Sequence, residues 1–230
     1  MRALGVTARA VVVCLGAVWA AGCASEGSTV PKALSELEST AEDAFDLAIG
    51  GDVAGVQARA AALAAAWDGY RSRAARDGVP AAAMAALDAA VAGLGAVAAT
   101  ETSGPALARA ANAVSEPMPA FFEVYDPPVP SGVLALDYLG REVWLDALGG
   151  DFAAAGADVD RVESQWAALR AGVVAAGGEA EAAAYDGSVT AERGAIAGAD
   201  AAALESAAVD QLELVDGIES VFASVADAPD

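Results

Sequence analysis

Val53 to Tyr70 reads VAGVQARAAALAAAWDGY, with an apolar face at Val53, Val56, Ala60, Leu63, Trp67 and Tyr70, spaced 3, 4, 3, 4, 3. That period belongs to a helix buried along one stripe, and it turns Arg59 and Asp68 elsewhere. The stripe returns 99 residues later in Phe152 to Leu169, FAAAGADVDRVESQWAAL, at Phe152, Ala155, Val159, Val162, Trp166 and Leu169. The same offset relates Pro31 to Pro130, Leu37 to Leu136, Gly50-Gly51-Asp52 to Gly149-Gly150-Asp151, and Arg71 to Arg170. It slips to 98 where Leu87-Asp88 and Val91 match Tyr185-Asp186 and Val189, and to 97 where Leu107 matches Leu204. One-residue slips of this kind belong in loops.

Working outward, each copy holds four such stripes. First helices carry Leu34, Leu37, Ala41, Ala44 and Ala48 against Val133, Leu136, Gly140, Val143 and Ala147. Third helices start near Pro80 and Glu179, and fourth helices run from Leu107 to Tyr125 and from Leu204 to Phe222. Gly50-Gly51 and Gly149-Gly150 supply a left-handed stop, and Asp52 and Asp151 cap the helix that follows. Connections this short set neighbouring helices antiparallel. The fold class expected is therefore all-α, a tandem duplication of an up-and-down four-helix bundle with eight helices, over residues 31–126 and 127–230. Asp126-Pro127-Pro128-Val129-Pro130 makes a stiff joint. Pro117 and Pro119 predict a kink near Glu116 in the first copy alone.

The chain carries 12 basic and 33 acidic residues, and its mean hydropathy is +0.43 with 56% hydrophobic residues. Such a chain can bury a core, so its acidity marks a solvated surface and not disorder. A net charge of −21 disfavours nucleic acid and anionic headgroups as partners. Alanine supplies much of the apolar fraction, so the helices should pack closely around a thin core.

Arg2 and Arg9 precede a short apolar run, Ala10 to Ala21, which ends in Ala20-Ala21-Gly22-Cys23. The layout is that of a secretory signal, too short to anchor a chain across a bilayer. Its exit resembles the cleavage box of bacterial lipoprotein precursors, with Ala20 where that family usually has Leu. The resemblance implies that residues 1–22 are a signal peptide, that the Cys23 sulfur takes a diacylglyceryl group, and that Cys23 becomes the N-terminus of a chain anchored to the membrane by its acyl groups, palmitate among them. Removing residues 1–22 takes away two arginines and no acid, which leaves 10 basic against 33 acidic residues, a net of −23. Ala24 stands where the family's inner-membrane retention signal places Asp, so in a cell with two membranes the outer one, on its periplasmic side, is expected. Residues 23–30 then form a flexible tether.

The chemistry-bearing residues are few. Histidine is absent, which removes the usual general base, zinc ligand and haem ligand. The architecture resembles the four-helix cytochromes in outline only, since Cys-x-x-Cys-His and an axial histidine are missing; no cofactor and no metal are expected. Asp52 and Asp151 read as caps, Trp67 and Trp166 as core knobs, and Arg71, Arg73 and Arg76 as charges complementing a helix end. Trp144, Tyr138 and Tyr185 occur in the second copy alone and read as packing. Arg141-Glu142 and Glu192-Arg193 set charge beside apolar stripes, where pairing between bundles is possible, and Glu192 on a stripe needs a partner.

These features point to a lipid-anchored helical binding or scaffold module of the cell envelope, with lipidation at Cys23, another envelope protein as partner, and no catalytic residues. The alternative is a carrier or sensor of an apolar small molecule or cofactor in a helix-bundle cavity near Trp67 and Trp166. A carrier requires a cavity of roughly 300 to 1,000 Å³, and a scaffold an exposed apolar face on a solid bundle.

Overall fold

The computed structural model describes residues 29–226; the expected signal peptide, Cys23 and most of the expected tether lie outside them. All regular structure among the described residues is helical: α1 (Lys32–Ile49), α2 (Val53–Asp77), α3 (Ala81–Thr100), α4 (Gly104–Ser115), α5 (Met118–Phe122), a 3-10 turn (Glu123–Tyr125), α6 (Gly132–Gly149), α7 (Phe152–Ala175), α8 (Glu179–Gly198) and α9 (Ala201–Ala226). Helices α1, α2, α3 and α4 pack as a closed ring of antiparallel neighbours, and α6, α7, α8 and α9 form a second. The chain is an all-α bundle fold, as its periodicity requires.

The turns follow from their chemistry. Gly51 and Gly150 both take left-handed φ values, 77° and 66°, which cost a glycine nothing. Asp52 then accepts a hydrogen bond from the Gly55 N–H at 2.9 Å, and Asp151 one from Ala154 at 3.0 Å. Each satisfies an orphan donor of the next helix, so the capping expectation holds at both positions. The proline pair does more than kink the fourth helix. Pro117 has no N–H to give to the turn before it, so α4 ends at Ser115, and α5 restarts at Met118. The break turns Phe121 edge-on against Trp67, with ring centroids 5.6 Å apart, and brings the Tyr125 hydroxyl to 2.8 Å from that of Tyr70. Tyr125 also donates to Asp77, closing that end of the first ring.

Each ring has its own core. Leu34, Leu37, Leu63, Leu87, Leu94 and Leu107 are fully buried in the first, and Val133, Leu136, Val159, Val162, Tyr185 and Leu204 in the second. Trp67 and Trp166 are both 5% exposed and both anchored the same way: the indole N–H donates to Asp88 or to Asp186, at 2.7 Å in each ring. Arg71 and Arg170 close on the same two carboxylates. Arg71 is thus engaged sideways by α3 and does not serve the helix end, where Arg76 remains.

The rings meet along α6, which packs against α4 and α5 as well as against α7 and α9. Positions 99 residues apart find each other across this seam. Arg141 donates to Glu42 at 2.7 Å, and the Trp144 ring lies 5.6 Å from Phe45.

Truncating Trp67 or Trp166 to Ala removes a large buried group and leaves its carboxylate partner short of a donor. Each variant is expected to lose about 3 to 5 kcal/mol, with the melting temperature falling by roughly 10 °C. Helical circular dichroism followed against temperature checks this; a variant melting with the parent would show that the indole is not packed as described.

Candidate functional site

Three places in the bundle carry polar or apolar groups beyond what its packing requires: the seam on α6, the core of the second ring, and a groove where the two rings and the chain ends converge.

On the seam, α6 buries three charged side chains, Arg141, Glu142 and Asp146, in an 18-residue helix, because both of its long faces are covered. Arg109 of α4 reaches across to Glu142 and, at 2.7 Å, to Asp146. Asn112 of α4 donates to the Tyr138 carbonyl at 3.0 Å and to Glu142 at 2.8 Å. Toward α1, Arg141 is held by Glu42 and by Asp137 one turn back on its own helix. Burial pushes the carboxyl groups of Glu38 and Asp137 up from their ordinary range, and Glu42 raises both further. Burial also raises Glu142 and Asp146, against the opposing pull of Asn112 and Arg109. The interbundle pairing foreseen for Arg141 and Glu142 is present, and its partners are Glu42, Arg109 and Asn112. Asp46 and Glu219 add further acids around Arg141, so one guanidinium serves a crowd of carboxyl groups.

The second core departs from the first at matched positions. Leu87, Leu94, Val114 and Ala41 of the first ring correspond to Tyr185, Glu192, Gln211 and Gly140. All four first-ring residues are buried and apolar. In the second ring Gln211 donates to Glu192 at 3.0 Å and lies 3.4 Å from the Ser188 hydroxyl. Glu192 Oε1, Gln211 Oε1 and the Tyr185 hydroxyl have no partner among the described residues. Glu192 is fully buried, and burial lifts its carboxyl to about 7, while Gln211 and Arg193 act to lower it. Burial likewise raises the Tyr185 phenol well above its usual value. Gly140 lets α9 come close, since a Cβ there would stand 2.9 Å from Leu212 Cδ2. The partner that Glu192 requires is therefore Gln211, and Arg193 instead ties α8 to Glu163 and Asp160 of α7.

The groove has a volume of about 350 Å³ and is lined mainly by apolar groups, among them Val30, Phe122, Pro128, Val129, Leu134 and Ala223. Ser35 and Glu219 are polar members of its wall. It takes residues from both rings and from the joint between them, at the end of the bundle where the chain enters α1. Trp144 and Tyr138, grouped with Tyr185 by the sequence, sit apart from it: Trp144 packs on Phe45, Tyr138 lies under the Arg161 guanidinium 5.5 Å away, and Tyr185 stacks on Trp166 at 4.4 Å. Neither Trp67 nor Trp166 lines this groove.

The sequence missed Arg109, Asn112 and Gln211. Gln211 stands on a stripe otherwise made of apolar residues, Leu204, Ala208, Val215 and Ile218, where a lone amide was the available signal, whereas Asn112 lies beside the stripe of its helix. Among the described residues, no group of three or more acids or cysteines is placed to hold a metal ion. Compared with known proteins, the chain matches no family model, no curated protein and no solved structure.

The raised carboxyl groups set the pH dependence. Burial pushes Glu192 up to about 7, so in the folded state it keeps a proton that an unfolded chain releases near pH 4.5. The contribution of Glu192 to stability is fully present below about pH 4.5 and is lost as the pH rises through about 7, where it ionises. Thermal melts from about pH 5 to 9 should show a declining midpoint, and Glu192→Leu should flatten part of that decline. A midpoint that rises over this range would contradict the assignment.

Proposed function

We propose that the chain is a lipoprotein, anchored through Cys23 to the extracytoplasmic face of a bacterial membrane, in which the helical bundle serves as a binding or scaffold module for another envelope protein. The observation that carries the scaffold part is the outer face of α3. That helix presents Ala82, Ala85, Ala89, Ala92, Ala96 and Ala99 to solvent, and its single charge, Asp88, is taken by Trp67 and Arg71. Among the described helices α3 alone is long and apolar enough to cross a membrane, yet Leu87, Val91, Leu94 and Ala98 hold it in the first ring. Its counterpart α8 carries Glu179, Glu181, Asp186, Glu192 and Arg193 over the same length. An uncharged face of small side chains on a chain of net charge −21 suits close approach by a partner helix, because it offers shallow grooves and nothing to desolvate.

The lipoprotein part rests on Ala20-Ala21-Gly22-Cys23 and on the polar tether that follows it. We read the two rings as copies of one duplicated unit, supported by the matching Trp–Asp–Arg clusters and by the meeting of equivalent positions across the seam. A carrier cavity at the two tryptophans draws no support from their packing, since each indole is covered and hydrogen-bonded. No catalytic role is part of this reading.

Two variants test it in the source cell or a bacterial host. Cys23→Ser should move the protein from the membrane to the soluble fraction. Ala92→Glu should leave it membrane-bound and folded, with stability changed by less than about 0.5 kcal/mol. A photoreactive residue at position 89 should crosslink one partner protein, and Ala92→Glu should abolish that crosslink. Membrane retention of Cys23→Ser in high salt would contradict the anchor, and an undiminished crosslink would contradict the α3 face.

A further inference from the structure

We propose that the groove between the rings is the seat of one acyl chain carried by Cys23 of the same molecule. The inference rests on the lipoprotein reading and adds to it a site inside the protein for the lipid. Val30, the second described residue, is itself part of the groove wall. Cys23 stands seven residues earlier, so its sulfur lies within about 25 Å of the groove even if the connection is fully extended. Ala24-Ser25-Glu26-Gly27-Ser28-Thr29 between them contains no proline or aromatic side chain that would hold the lipid away. A tether of this length keeps the acyl chain near the groove at an effective concentration in the millimolar range.

The wall suits an alkyl chain. Phe122, Pro128, Val129, Leu134 and Ala223 offer carbon surface, and about 350 Å³ accommodates on the order of a dozen methylene-sized groups at roughly 30 Å³ each. Charge selects between sources of such a chain. Glu219 lies in the wall, and the crowd of acids around Arg141 lies close by, so a free fatty acid or an anionic phospholipid would bring its own negative charge to an acidic rim. The ester and amide links of a lipidated cysteine are neutral. They leave Ser35 as a hydroxyl donor at the rim and place no charge beside Glu219. The groove is also assembled late in the chain's path, from α1, α5, the proline joint, α6 and α9, so it exists only when both rings are in place.

The test uses the full chain in living cells. A palmitate analogue bearing a diazirine is supplied for incorporation at Cys23, the cells are irradiated, and the protein is digested and read by mass spectrometry. The expected result is an acylated Cys23 peptide crosslinked to peptides containing Phe122, Val129 or Leu134 of the same molecule. Leu134→Asp, which puts a charge in the groove, and Ala223→Trp, which fills it without a charge, should each lower that crosslink about tenfold while acylation of Cys23 and the circular dichroism spectrum are unchanged. Acylated protein whose crosslinks go to membrane lipids alone, or whose groove crosslinks survive both variants, overturns the groove and leaves the anchor standing. A Cys23 that takes no acyl group overturns both.

Discussion

The arrangement depends on the ionic seam buried along α6. A helix in a four-helix ring ordinarily shows one side to water, whereas α6 is covered on both, with Val133, Leu136 and Val143 facing its own ring and Leu145 joining the core of the other. Charges placed on such a helix cannot snorkel out. Arg141 is 8% exposed, Glu142 7% and Asp146 3%, so each requires a counter-charge from the opposite ring. Burying ions is costly, and an apolar seam of similar shape could be as stable; what the ions add is a penalty for any other docking of the two rings. Glu42 with Arg141 and Arg109 with Glu142 and Asp146 set the register of ring against ring, and the groove at the far end of the seam takes its shape from that register.

The two rings solve the same packing problem with different cores. Alanine-rich helices approach closely and bury little area each, so a few large knobs do most of the work. In the first ring Trp67 packs against Phe121 and Tyr70, and Leu87, Leu94 and Val114 are buried and apolar. In the second, Tyr185 takes the place of Leu87, and Glu192 and Gln211 replace Leu94 and Val114. A partly satisfied polar core is less stable than an apolar one. The second ring therefore carries a titratable carboxyl within its core, while the first holds its uncharged outer face on α3.

Most of the fold was legible from the spacing of large residues among alanines, since a 3-4 stripe in an alanine background has one physical reading. Gly-Gly-Asp marked the turns because only those residues combine a left-handed stop with a cap. The Trp67–Asp88–Arg71 cluster was half visible: all three residues recur at matching spacing in the second ring, but Arg71 was assigned to the helix end because a helical wheel does not show which neighbour lies beside it. Gln211 passed as a stripe position because a single amide barely alters an apolar pattern, and Asn112 lies beside the stripe, on a face whose covering by α6 no local spacing encodes. The groove could not be read at all. Its walls come from positions nearly 200 residues apart, and their meeting depends on how α6 docks on α4, which no local pattern encodes.

The central claim is that the seam makes two rings into one cooperative unit, and scanning calorimetry of residues 24–230 tests it most directly. A seam that fixes ring against ring predicts a single transition whose calorimetric enthalpy equals its van't Hoff enthalpy. Two resolved transitions, each with the enthalpy of about 100 residues, would contradict the account, because the rings would then fold independently and the buried charges of α6 would couple nothing.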